Sequence, residues 1–200
     1  MSHILSIHKT HPEPERIAKA RDLLFAGELV VLPTETVYGL ACNPSIPGAL
    51  EKLRAAKGRD ANKPIAMLVD SPETVQKAVL NWTPALSALA RSYWPGPLTM
   101  VLETSDGWTG FRIPQHPVPL ELARLCATPL ALTSANQSGD PDPRTAQDAA
   151  QALSVSLILD AGPASENVLP STVIKVDGSK IYCLREGALP FSEIEKKFCP

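Results

Sequence analysis

The stretch Leu29-Val30-Val31-Leu32-Pro33-Thr34-Glu35-Thr36-Val37-Tyr38-Gly39-Leu40 decides how this chain folds. Its first four residues form a continuous apolar run that reads as a buried strand, and Pro33 closes that strand. Upstream, residues 15–26 carry Ile17, Ala20, Leu24 and Phe25 at helical spacing, with Gly27 placed to stop the helix. A helix feeding a buried strand is the start of an α/β arrangement. The hydroxyls after Pro33 have two readings. Thr34 or Thr36 caps a helix that follows, the commoner use, or strand-end hydroxyls line a ligand crevice where α/β sheets bind.

The same alternation continues along the chain. The spacing predicts a helix over 47–57 with Leu50 and Leu53 inward, then a strand over 65–69. Ser71-Pro72 and Thr83-Pro84 each resemble an N-cap followed by proline at the first helical position. Strands are expected at 98–102, 111–113, 130–133 and 157–159, with helices near 118–126 and 145–153. Residues 172–176 and 181–184 flank Asp177-Gly178, a hairpin signal that forces one antiparallel pair. The expectation is a single α/β domain over 1–200 with a twisted sheet of mixed parallel and antiparallel strands flanked by helices. Residues 1–12 are read as a frayed N-terminal stretch.

Composition narrows the function. At 200 residues, 44 % apolar and 20 % charged, the chain suits one buried core. A formal net charge of −2 excludes a polycation, so any nucleic-acid contact needs a local basic patch. Cys42, Cys126, Cys183 and Cys199 are widely spaced, with no C-x-x-C pair. That favours reduced thiols in a cytosol over a zinc site or a disulfide framework. No apolar run approaches the ~20 residues of a membrane span, nor does the N-terminus read as a signal peptide, so the expected location is cytoplasmic.

Phosphate-loop, dinucleotide, H-E-x-x-H and G-x-S-x-G signatures are all missing, and three of the four histidines (His3, His8, His11) lie in the N-terminal stretch. His116, between prolines, reads as a loop residue. The charged run is more informative: Lys52, Arg54, Lys57, Arg59 and Lys63 fall in a short span with Glu51 and Asp60. The plain reading is a solvated helix face. However, Lys57-Gly58-Arg59 falls where the helical pattern ends and feeds Asn62-Lys63-Pro64 and a buried strand. Cations mounted there could hold a triphosphate without a Gly-rich loop. Thr133-Ser134-Ala135-Asn136 also follows a strand and opens a polar loop.

Residues 33–40, Lys57-x-Arg59 with Lys63-Pro64, Trp94-Pro95-Gly96-Pro97-Leu98-Thr99, Ser134-x-Asn136, Pro170-Ser171-Thr172-Val173 and Leu184-Arg185-x-Gly187 together resemble the signature blocks of YrdC-like proteins. The blocks run in order over about residues 15–187. The chain is similar to the single-domain members, the TsaC type of bacteria.

The resemblance implies a YrdC-like fold around a deep basic cavity. It implies synthesis of L-threonylcarbamoyl-AMP from L-threonine, bicarbonate and ATP with release of pyrophosphate, the first step of tRNA threonylcarbamoyladenosine formation. By resemblance, Lys57 and Arg59 are catalytic, and Lys57, Arg59, Lys63, Ser134, Asn136 and Arg185 bind the nucleotide. Thr34, Thr99, Arg112 and Ser171 hold threonine, Arg112 because its planar fork grips two carboxylate oxygens. Mg²⁺ arrives with ATP, and no permanent cofactor is implied. The partners are the tRNA-modification proteins that take the product, with direct RNA contact left open and no membrane. The alternatives are a YrdC-like paralogue that binds RNA or nucleotide without making this product, and a carbamoyl-transferring relative. The latter are longer and carry cysteine pairs that this chain lacks.

Overall fold

A computed structural model describes residues 2–58, 65–165 and 168–198, so Arg59, Asn62, Lys63, Pro64 and Cys199 lie outside the described residues. In chain order the elements begin β1 (His3–Ser6), α1 (Pro14–Phe25), β2 (Val30–Leu32), β3 (Gly39–Cys42), α2 (Ala49–Ala56) and β4 (Ala66–Leu68). They continue with α3 (Pro72–Ala78), α4 (Pro84–Tyr93), β5 (Leu98–Thr104), β6 (Gly107–Arg112), α5 (Pro117–Cys126) and β7 (Leu130–Ser134). The last are α6 (Ala146–Ala152), β8 (Leu157–Asp160), β9 (Thr172–Asp177), β10 (Lys180–Arg185) and α7 (Phe191–Phe198).

Among the described residues the strands form one sheet in the order β1-β8-β2-β3-β7-β4-β6-β5-β9-β10. The pairs β1–β8, β2–β8, β4–β6 and β5–β9 are parallel, and the remaining neighbours are antiparallel. The expected α/β class with a mixed sheet is therefore observed, and Asp177-Gly178 makes the β9–β10 hairpin with Gly178 at φ +58°. The predicted helix starts also form. Ser71 Oγ accepts from the Thr74 N–H and Thr83 Oγ1 from the Leu86 N–H, each followed by proline.

Side chains alternate across β2, β7 and β8, and both faces are buried. Val30, Leu32, Leu130, Leu157 and Leu159 pack with α1 and α5, whereas Val31, Ala131 and Ile158 pack with α2 and α6. In the other half of the sheet, Met100, Leu102, Phe111, Ile174 and Val176 pack against α3, α4 and α7. The opposite face there carries Thr99, Val101, Gly110, Arg112 and Val173, which line a cavity.

Three elements differ from the sequence reading. Residues 1–12 are not simply frayed: His3–Ser6 runs parallel to β8 at the sheet edge, and Ile7 is buried with its N–H on Asp160 O. The partner strand is remote in sequence, and the flanking histidines hide the short Ile4-Leu5-Ser6-Ile7 pattern. Thr34 and Thr36 do not cap a helix, since the chain returns as β3, antiparallel to β2. Finally, α7 forms beyond the last element read from the sequence, burying Ile194 and Phe198.

Candidate functional site

A cavity of about 510 Å³ lies over the sheet face described above. It is lined by all eight sequence-predicted site residues that fall within the described residues: Thr34, Lys57, Thr99, Arg112, Ser134, Asn136, Ser171 and Arg185. They come from elements far apart in sequence, and three local networks hold them.

The first network is built on Lys57, the residue that caps the C-terminus of α2. Its side chain is buried, and Nζ donates to Ser134 O at 2.6 Å and Asn136 Oδ1 at 2.7 Å. Ser134 Oγ also donates to Asn136 Oδ1, at 2.7 Å, and Asn136 Nδ2 donates to Asp140 O at 2.6 Å. The loop after β7 is strapped back onto α2 by Gln137 Nε2 on Ala56 O and by the Ser138 N–H on Lys57 O. A buried ammonium is tolerated only when its donors are engaged, and these carbonyl oxygens engage it.

The second network is the turn between β2 and β3. Thr34 Oγ1 accepts from the N–H groups of Thr36 and Val37 and donates to Val37 O at 2.7 Å. Arg112, on β6, donates from Nη2 to Glu35 Oε1 at 2.8 Å and to Thr36 Oγ1 at 2.9 Å, and from Nε to Gly96 O at 3.4 Å. The fork expected to grip a ligand carboxylate with two nitrogens is thus largely engaged by the protein. Nη1 is the nitrogen without a protein partner among the described residues.

In the third network Thr99 Oγ1 and Ser171 Oγ lie 2.9 Å apart. Arg185 donates from Nη2 to Ser171 O and Oγ at 2.8 and 3.1 Å, and from Nε to Ser171 O. Burial pushes the Arg185 guanidinium below its ordinary pKa; Asp142 opposes that shift and Arg112 adds to it. A cation held against its own desolvation, with a second arginine nearby, is stabilised by any anion that enters.

Sequence reasoning missed Glu35, Asp142 and Gln137. Glu35 had a signal, because it sits between the two threonines of the opening stretch. Asp142 lines the cavity and Gln137 straps the loop, but neither stood in a recognisable spacing. Other expectations shift. Arg54 is only half-exposed, and its Nε is buried with no partner among the described residues, so it does not lie on a solvated face. Lys52 does, paired with Glu28 at 2.7 Å. His116 is the N-cap of α5, with Nδ1 accepting from the Val118 N–H. Among the described residues no three His, Cys, Asp or Glu side chains are grouped to hold a metal, and no helix is long and apolar enough to cross a membrane.

Comparison with known proteins fits this arrangement. The family model Sua5/YciO/YrdC, described as "Telomere recombination", matches residues 22–187. A Mycobacterium tuberculosis relative is 36 % identical over 190 residues, covering 89 % of this chain and 87 % of its own length. A Pyrococcus abyssi protein named threonylcarbamoyl-AMP synthase is 35 % identical over 196 residues; the match covers 92 % of this chain but 57 % of that protein. The crystal structure of P. abyssi Sua5 complexed with L-threonine superposes with a TM-score of 0.91 at 33 % identity, covering 98 % of this chain and 61 % of that one. The chain belongs to the Sua5/YciO/YrdC family.

Proposed function

We propose that this protein makes L-threonylcarbamoyl-AMP from L-threonine, bicarbonate and ATP, releasing pyrophosphate, as the first step of a tRNA modification. The observation that carries this reading is the convergence of the eight described site residues, drawn from all six of the ordered sequence blocks and from Arg112, on one cavity with three cationic side chains. The names of the relatives support it, as does the threonine-bound Pyrococcus structure.

The chemistry needs what the cavity offers. The threonine amine takes up CO₂ to give a carbamate, whose oxygen attacks the α-phosphorus of ATP while pyrophosphate leaves. Both reactants are anionic, so catalysis consists mainly of holding them in line and stabilising the charge that gathers between them. Lys57 and Arg185 face the triphosphate in this reading, with Ser134 and Asn136 completing the nucleotide site. Arg59 and Lys63 extend that set from the segment outside the described residues. Thr34, Thr99, Arg112 and Ser171 hold the amino acid, Arg112 through Nη1. Mg²⁺ enters as part of the MgATP substrate. The free thiols of Cys42, Cys126 and Cys183 support a reducing, cytoplasmic setting. The product then passes to the proteins that modify tRNA.

The test is pyrophosphate release from purified protein supplied with MgATP, bicarbonate and threonine, omitting each in turn. Release should require all three. Equal ATP turnover without threonine points instead to a nucleotide-binding paralogue.

A further inference from the structure

The cavity floor is a single face of β5, β6, β4 and β7, and it has two rows. In the row that carries the polar side chains of Arg112 and Thr99, Arg112 pairs with Leu68 and Thr99 with Val173. The next row, two residues along each strand, is Val101–Gly110–Ala66–Leu132, paired strand to strand across the floor. Every residue of the second row lines the cavity, and all of them are apolar or small.

Gly110 lacks the usual reasons for a glycine. Seven glycines have φ between +55° and +105°. Gly39, Gly96 and Gly187 would bring an added Cβ within 3 Å of a neighbour. Gly110 has neither constraint: a Cβ there would meet Thr99 Cγ2 at 3.4 Å and Ala66 Cβ at 3.5 Å, ordinary packing distances. A glycine inside a strand weakens it, because its backbone loses more freedom on folding and it adds no side-chain contact. What its bare Cα provides here is room in the cavity floor, two residues along β6 from Arg112.

We infer that Gly110 sets the amino-acid side-chain specificity of the site: its missing side chain, with Ala66, Val101 and Leu132 around it, leaves the space that accepts the β-methyl of threonine. This rests on the functional reading above. Gly110 lies about 6.5 Å from Arg112 along the same face of β6, within reach of the methyl of a threonine whose carboxylate meets Arg112 Nη1. A methyl laid there is removed from water against four apolar neighbours, whereas serine leaves the same space unfilled.

The experiment compares kcat/KM for threonine and serine, each with saturating MgATP and bicarbonate, in the native protein, Gly110→Ala and Ala66→Val. Both substitutions fill the space, one from each strand, so the result does not depend on a single variant folding. The native protein should prefer threonine by about 10- to 200-fold. Each variant should reduce that ratio at least tenfold, mainly through a higher KM for threonine, with the KM for ATP unchanged. Threonine-dependent turnover with an unchanged threonine-to-serine ratio in both variants overturns the inference and leaves the function standing. A rise in the KM for ATP with the ratio preserved also overturns it, by giving the space to the nucleotide. A native protein without threonine-dependent turnover removes the functional reading, and this inference with it.

Discussion

Lys57 Nζ donates to Asn136 Oδ1 across 2.7 Å, joining the end of α2 to the loop after β7. The same ammonium holds Ser134 O, so one cation both organises two predicted nucleotide-site residues and offers its charge to the cavity. Lys57→Ala removes both roles. A charge-assisted contact contributes about 1.5–3 kcal/mol, so kcat/KM for ATP should fall roughly ten- to a hundredfold. Because the side chain is buried and bonded, the melting temperature should fall as well. Lys52→Ala is the control: its pair with Glu28 is exposed and contributes about 0–1 kcal/mol, so turnover should stay near normal. Equal turnover by the two variants would remove Lys57 from the site.

The Glu35–Arg112 pair leads to a different expectation. Both side chains are largely buried, at 18 % and 9 % exposure, and Glu35 Oε2 has no partner among the described residues. Glu35→Gln keeps an acceptor for Nη2 but removes the charge that balances the guanidinium. Stability without ligand should drop by about 1–3 kcal/mol. A threonine carboxylate then supplies the missing charge, so saturating threonine should raise the melting temperature more in Glu35→Gln than in the native protein. An equal or smaller rise places the carboxylate away from Arg112.

Local signals were legible where the physics is local. The caps Ser71 and Thr83 and the Asp177-Gly178 hairpin depend on bonds within a few residues, and all three stand as read. β3 was not legible, because Gly39-Leu40-Ala41-Cys42 has no β-branched residue; its place is set by pairing with β2 and the remote β7. The site behaved similarly. The cations and hydroxyls stood in quotable blocks, whereas Glu35 as the partner of Arg112, and the gap at Gly110, exist only once β6 lies beside the turn after β2 and beside β4.

Cys42 follows the opening stretch and could be mistaken for a nucleophile. It is fully buried in the core against α2, and burial pushes its thiol up to about 11, with Glu51 adding to the shift and Arg54 opposing it. A thiol with so little thiolate at neutral pH, and no place in the cavity lining, takes no covalent step. Cys42→Ser should therefore keep kcat within about twofold while lowering the melting temperature, since a hydroxyl replaces sulfur in an apolar site. Loss of turnover in a folded variant would overturn the non-covalent mechanism.

His116 makes stability depend on pH. Burial holds its imidazole down to about 4 from an ordinary 6.5; Glu35 pulls the other way and Lys9 adds to the lowering. Nδ1 accepts the Val118 N–H as the cap of α5, a role that requires an unprotonated nitrogen. Below pH 6.5 the unfolded chain takes a proton that the folded protein refuses, so this contribution is complete above 6.5 and declines as pH falls towards 4. Between pH 7 and pH 5 the loss should be about 2 kcal/mol. His116→Asn keeps a side-chain acceptor at the N-cap but does not titrate. Urea midpoints measured from pH 7 to pH 5 should fall steeply for the native protein and much less for His116→Asn. Parallel slopes would assign the acid sensitivity to other groups and show that His116 is not held neutral by its burial.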